Sequence, residues 1–207
     1  MATEVRAAAA ADVEQAVAFH GHMCPGLAIG VQAARYALRE IGAHAQDEEV
    51  VAVVETDMCA VDAIQSLVGC TFGKGNLVHR DYGKNAFTFF RRSDGKGVRL
   101  VTRADGWGPK DPAAEELGKR ARSGTASAEE QQDFWKLHRR RADAILARPD
   151  AELFVTTPVT ADPPRPARIH TSLPCAECGE PTMETRTRQF GGKTLCIPCF
   201  ERADRRA

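Results

Sequence analysis

The sequence predicts an α+β fold, with helices on a mixed or antiparallel sheet, followed by a small C-terminal zinc module of treble-clef or ribbon type. Three observations predict it. Apolar residues recur at helical steps from Leu27 to Ile41, then give way to the β-branched run Val50 to Glu55. Short strand-like runs at 76–81, 86–92 and 98–103 alternate with turn sequences. Near the C-terminus, Cys175-Ala-Glu-Cys178 and Cys196-Ile-Pro-Cys199 stand seventeen residues apart.

Residues 1–11 are alanine-rich but carry Glu4 and Arg6, so they lack the apolar core of a signal peptide. No stretch reaches the roughly eighteen apolar residues of a membrane helix, and a cytoplasmic protein with reduced thiols is expected. Pro25 suits a first helical position, with Leu27, Val31, Ala34, Leu38 and Ile41 forming one buried face that stops at Gly42. After the strand from Val50, the residues Ala60, Ile64, Leu67 and Val68 return to helical spacing as far as Gly69. Tyr82-Gly83-Lys84 and Ser93-Asp94-Gly95-Lys96 are short enough to close antiparallel hairpins between the next three strands. Ser127-Ala-Glu-Glu130 is a capping box opening a helix with Phe134, Leu137, Ile145 and Leu146. Leu153 to Val159 completes the strands. Three prolines among the nine residues 160–168 make an extended spacer. The expected organisation is a core at 1–159, a linker at 160–169 and a finger at 170–207.

Cys175, Cys178, Cys196 and Cys199 have the spacing of one tetrahedral zinc site with four thiolate ligands. Each pair forms a tight knuckle, and Gly191-Gly192 turns the hairpin between them. About forty residues bury too little apolar surface to fold without the metal. Two disulfides are the alternative, opposed by the expected reducing compartment.

The second cluster is His20-Gly21-His22-Met23-Cys24-Pro25-Gly26. Cys24 sits before a helix N-terminus, where the macrodipole favours its thiolate. Cys59 opens the next helix within Thr56-Asp57-Met58-Cys59, and Asp62, Ser66 and Cys70 would continue its stripe. At about 1.5 Å per residue, Cys59 and Cys70 would stand about 16 Å apart, too far for one metal to hold both from one helix. Either that helix ends earlier or only one of the two joins the pocket. His22, Cys24 and Cys59 are therefore the expected ligands of a second metal, zinc, iron or nickel, with an open position for water or substrate. Asp57, Asp62 and Gln65 are expected to orient those ligands. His20 and Cys70 are candidates to move protons, and Lys74 in Gly73-Lys74-Gly75 to meet an anionic group. That loop is not a Walker A motif: it is one residue short between its glycines and lacks the Ser or Thr after Lys74.

Four segments, 19–27, 55–65, 69–77 and 81–87, together resemble the FmdE family, named for a component of formylmethanofuran dehydrogenase. Their residues are Phe19-His-Gly-His-Met-Cys-Pro-Gly-Leu27, Glu55-Thr-Asp-Met-Cys-Ala-Val-Asp-Ala-Ile-Gln65, Gly69-Cys-Thr-Phe-Gly-Lys-Gly-Asn-Leu77 and Asp81-Tyr-Gly-Lys-Asn-Ala-Phe87. The C-terminal module resembles the TraR/DksA-type zinc finger. The resemblance implies an α+β core and an intertwined homodimer. It leaves activity open, between a metal-dependent enzyme and an accessory component of an oxidoreductase.

Charge bears on the partner classes. Lys plus Arg and Asp plus Glu number 28 each, so nothing draws the whole chain to nucleic acid or membrane. From His170 onward six basic face five acidic residues, and a tetrathiolate zinc adds about minus two. Protein contact through the finger is favoured over nucleic-acid binding. Two functions are expected to compete: a metal-dependent catalytic or ligand-binding pocket beside a structural finger, or a regulatory, metal-sensing module acting through the finger. His138-Arg139-Arg140-Arg141 reads as a solvated helix face.

Overall fold

The computed structural model describes residues 2–109 and 111–205, with the side chains of 10–109 and 111–205. It divides into two compact units, one ending at Pro166 and the other beginning at Ala167. Among the described residues no helix is long and apolar enough to cross a membrane.

The larger unit is α+β. Its elements are α1 (Ala2–His20), α2 (Pro25–Glu40), β1 (Val50–Val54), α3 (Ala60–Ala63), β2 (Leu77–His79), β3 (Ala86–Arg91), β4 (Gly97–Thr102), α4 (Pro112–Ser123), α5 (Ala128–Leu146), α6 (Asp150–Leu153) and β5 (Phe154–Val159). The five strands form one sheet in the order β2-β1-β3-β4-β5. β1 and β2 run parallel, and every other pair is antiparallel. The mixed sheet arises because β1 lies between β2 and β3. The turn at 82–84 therefore does not close a hairpin as its length predicts, whereas the turn at 93–96 does, joining β3 to β4. Pro158 sits in β5, an edge strand, where its missing N–H costs no interior ladder bond.

Alternation along β1 sends Val50, Ala52 and Val54 to the main core and Val51 and Val53 to a second cluster with Phe90 on the other face. Both sets are buried, which is why this strand reads as an unbroken apolar run. The main core holds Phe87, Phe89 and Leu100 from the sheet, with Leu27, Ile29, Val31 and Ile64 from the helices.

α2 is more deeply enclosed than a single apolar stripe predicts, since every residue from Leu27 to Ala34 is buried. Small residues make this possible. Gly30 lets the helix pass against the start of α3: a Cβ there would stand 2.3 Å from the Ala60 carbonyl oxygen. The buried Gln32 donates from Nε2 to the Arg148 carbonyl at 3.0 Å, and Arg35 binds both Asp12 carboxylate oxygens at 2.7 and 2.9 Å. These bonds tie α2 to the end of α5 and to α1.

The helix begun by α3 widens into a π turn at Ile64–Val68 and stops at Gly69, whose φ of +76° suits glycine. Cys70 thus lies beyond the helix and off the stripe of Cys59 and Asp62. The loop after it is tied down from inside. Asn76 Nδ2 donates to the carbonyls of Asp47, Val50 and Gly69, while its Oδ1 accepts from Thr71 N.

α1 and α4 are not foreseen by periodicity. α1 is mostly alanine, with Val13, Ala16 and Val17 as its described contacts to the core. α4 is polar, but its ends carry legible signals: Asp111 caps Ala113 and Ala114, Pro112 takes the first turn, and Gly124 terminates it with φ +74°. The capping box at Ser127 and Glu130 forms as its sequence predicts.

The smaller unit contains the hairpins β6 (Ser172–Pro174) with β7 (Pro181–Met183) and β8 (Thr187–Phe190) with β9 (Lys193–Cys196), then α7 (Ile197–Asp204). Gly191 and Gly192 join β8 to β9 with φ +55° and +75°, the left-handed pair that a two-residue hairpin turn requires.

Candidate metal centre

The core cluster is assembled where three helix ends meet. α1 closes at His20, and Gly21 reverses the chain with φ +96° while its N–H bonds the Val17 carbonyl. Two residues later Cys24 caps α2, its Sγ accepting from Leu27 N at 3.3 Å. His20 Nδ1 lies 2.6 Å from Asp62 Oδ2 on α3. That bond leaves His20 Nε2 facing Cys24 Sγ at 3.9 Å.

One ligand atom from each of His20, His22 and Cys24 falls within 4.8 Å of the others. Zinc bonds of about 2.05 Å to nitrogen and 2.3 Å to sulfur, at tetrahedral angles, give an N···S edge of about 3.6 Å. The His20–Cys24 spacing is close to that edge, so the donors fit a metal after a small inward movement. Asp62 at His20 Nδ1 is the carboxylate–histidine arrangement that fixes an imidazole's tautomer for metal binding.

Cys59 adjoins the group. A Cβ on Gly26 would lie 3.6 Å from Cys59 Sγ and 3.8 Å from Cys24 Sγ, so both sulfurs crowd the space that this glycine leaves open. Burial, then neighbouring Cys24, pushes the Cys59 thiol up to about 11. It remains protonated near neutrality unless a cation displaces its proton. The structure therefore gathers the imidazole of His20 where the sequence pattern expects Cys59 and places Cys59 alongside.

Other expected site residues stand elsewhere. Cys70 is fully buried, hydrogen-bonded to the Val50 carbonyl at 3.4 Å, and burial pushes it up to about 12, which leaves no exposed thiol to relay a proton. Lys74 Nζ is 2.7 Å from the Ala45 carbonyl, so its ammonium anchors the loop instead of facing the cluster. Gln65 Oε1 accepts from Phe72 N, and Asp57 is exposed. Of the three residues expected to orient ligands, Asp62 touches one.

A cleft of about 440 Å³ opens over this cluster, with His22, Cys24 and Cys59 on one side. Trp107, Arg122, Trp135, His138 and Arg141 form the other. The His22 ring meets Trp135 edge-on at 5.6 Å. These five residues were not expected at the site. Trp135, His138 and Arg141 recur every three residues on α5, a stripe visible in the sequence but hidden inside a basic run. Arg139 and Arg140 of that run are exposed, as a solvated face requires.

In the smaller unit, Sγ atoms of Cys175, Cys178, Cys196 and Cys199 lie within 4.8 Å of one another. Cys178 and Cys196 are 3.9 Å apart, near the edge of about 3.8 Å expected between sulfurs on one tetrahedral zinc. Backbone N–H groups of Cys178, Cys196 and Glu177 pull the Cys175 thiol down to about 6. Arg202 Nη2 donates to Cys199 Sγ at 3.0 Å.

A thiol–imidazole cluster on an α+β domain, with a four-thiol finger on a separate unit, places the molecule among metal-binding proteins of two modules. The chain belongs to the FmdE family: the model described as "FmdE, Molybdenum formylmethanofuran dehydrogenase operon" matches residues 19–155. The prokaryotic dksA/traR C4-type zinc finger matches 168–205. A probable S-adenosyl-L-methionine-binding protein of Archaeoglobus fulgidus is 33% identical over 192 residues, 87% of this chain and 50% of that protein. The chain thus spans half the length of that curated relative. In fold it is similar to a crystal structure of an FmdE-like protein of tungsten formylmethanofuran dehydrogenase type from Syntrophus aciditrophicus. The TM-score is 0.61 at 23% identity, over 94% of this chain and 92% of that one.

Proposed function

We propose that the core cleft is a metal-dependent ligand-binding or catalytic site, with His20, His22 and Cys24 holding the ion and Cys59 available as a fourth donor. The observation that carries this reading is the convergence of the three donor atoms within 4.8 Å beneath an open cleft. Zinc, iron or nickel suits a mixed imidazole and thiolate set, and would supply a Lewis acid at the cleft floor. The chain's own groups have separable roles. Asp62 holds the Nδ1 side of His20, Gly26 admits the second thiol, and Trp135 packs at His22 and narrows the entrance.

The finger's four thiolates would hold zinc structurally, within a unit covering about 168–205 and joined by the proline-rich linker at 160–169. A regulatory role through that finger is the second reading. The near balance of charge after His170 supports a protein partner over nucleic acid.

Metal analysis tests the first reading. Protein purified without chelator should carry about two ions per chain, and Cys24→Ala should lose one while the finger's ion stays. A single ion that survives Cys24→Ala removes the core metal from consideration.

We also propose that the chain pairs with itself, as the family resemblance implies. Phe19, Met58, Phe72 and Tyr82 are exposed by 57, 52, 78 and 58%, an apolar surface that self-association would cover. Light scattering should return twice the 22.5 kDa chain mass, and a mass of one chain at micromolar concentration overturns the pairing.

A further inference from the structure

The wall of the core cleft opposite Cys24 is cationic and aromatic. Arg122 near the end of α4 and Arg141 on α5 both line it, and no Asp or Glu does. Among the described residues neither arginine forms an ion pair, whereas Arg120 and Arg139 on the same helices pair with Glu130 and Asp143. Glu115 lines the adjoining groove with Arg122 but is not ion-paired to it. Arg141 uses one Nη on the Pro109 carbonyl at 3.4 Å, leaving the rest of its fork open.

Between the arginines lies His138, pulled below its ordinary value of 6.5 by burial and then by Arg141, Arg122 and His22. Its Nδ1 is shielded from solvent and makes no hydrogen bond among the described residues. Beside it stands Trp135, 47% exposed, with its ring 6.0 Å from that of His138. Two unpaired guanidinium groups next to exposed indole make a surface that repels cations, matches the forked geometry of a carboxylate or phosphate, and stacks against flat rings.

We propose that the α4–α5 hairpin is a recognition wall for a small molecule carrying an oxyanion on a planar ring, with Arg122 and Arg141 taking the oxyanion and Trp135 the ring. This rests on the cleft being a ligand site, and it does not require the cleft's metal. The hairpin lies outside the four segments that carry the family resemblance, so ligand choice and metal holding are divided between different parts of the chain.

Both tryptophans of the chain line this cleft, so intrinsic fluorescence reports on ligand entry. Phenyl phosphate and benzoate are the probes, with benzamide as the uncharged counterpart. At least one anion should change the emission saturably while benzamide at equal concentration does not, and added salt should weaken the effect. Tighter phenyl phosphate identifies a phosphate ligand, and tighter benzoate a carboxylate. Arg122→Ala and Arg141→Ala should each weaken binding about tenfold, the effect of losing a charge-assisted hydrogen bond. Arg139→Ala, on the outer face, should change nothing.

Equal response to benzamide and benzoate, or no saturable response to either anion, overturns the wall. Anion binding that survives both arginine substitutions but disappears in Cys24→Ala assigns the anion to the thiol–imidazole cluster and also overturns it. Arginine-dependent binding in a chain that carries metal only in its finger leaves the wall standing and sinks the core metal alone.

Discussion

Stripping zinc from the full-length protein should unfold residues 168–205 and leave the larger unit folded. The finger's buried cluster consists of Cys175, Leu195, Cys196 and Cys199, with Phe200 packed against it. Three of those four are the expected ligands, so Leu195 is its one fully aliphatic core residue. Ordering the backbone costs about 1–2 kcal/mol per residue, far more than such a cluster returns. A structural zinc contributes about 10–16 kcal/mol, and without it the four sulfurs gathered at the centre lose the ion that holds them together. Amide spectra before and after a chelator should therefore lose dispersion for the finger alone, and Cys196→Ser should reproduce that loss without chelator. Dispersed finger resonances persisting after the zinc is shown to be gone would contradict a metal-dependent fold.

Gly30→Ala should be the most damaging small change in the larger unit. The added Cβ would lie 2.3, 2.6 and 2.8 Å from the oxygen, Cα and carbonyl carbon of Ala60. All three are backbone atoms, so no side-chain rotation relieves the clash and α2 must separate from α3. The gain in helix propensity from glycine to alanine, about 1 kcal/mol, works in the opposite direction. Overpacking of this severity should outweigh it and lower stability by roughly 3 kcal/mol, read as a shift in the urea midpoint. The effect reaches the cluster, because Asp62, which holds His20, rides on α3. Core metal content should fall with stability while finger metal does not. Gly118→Ala is the contrast: its Cβ would meet the mobile end of Arg122 at 3.1 Å, so α4 should tolerate it. Unchanged stability in Gly30→Ala would mean that the helices are not in close contact there.

Much of this molecule is legible in local sequence because its signals act over a few residues. The four-cysteine spacing, the Gly191-Gly192 turn, Pro25 after Cys24, and the Ser127–Glu130 capping box each report nearby backbone geometry, and each forms. The strands are legible too, since burial on one or both faces imposes their apolar pattern. Pairing is not. β2 and β3 are separated by a short turn, yet each pairs with β1, because the most apolar strand gains most from a central place covered on both faces.

At the core cluster, the sequence by itself determined the donors, two imidazoles and a thiol held to a helix start by glycine and proline. Which donors converge was decided by tertiary structure. His20 joins because Asp62 on α3 reaches its Nδ1 at 2.6 Å, and Cys70 drops out because a π turn and Gly69 carry it into the core. The cationic wall is likewise a tertiary product. Arg122 and Arg141 sit nineteen residues apart on two helices, and only their packing brings both charges to one cleft. Local spacing encodes dihedral angles and faces, whereas a site depends on distances between elements, and those follow from where Gly26 and Gly30 let helices touch.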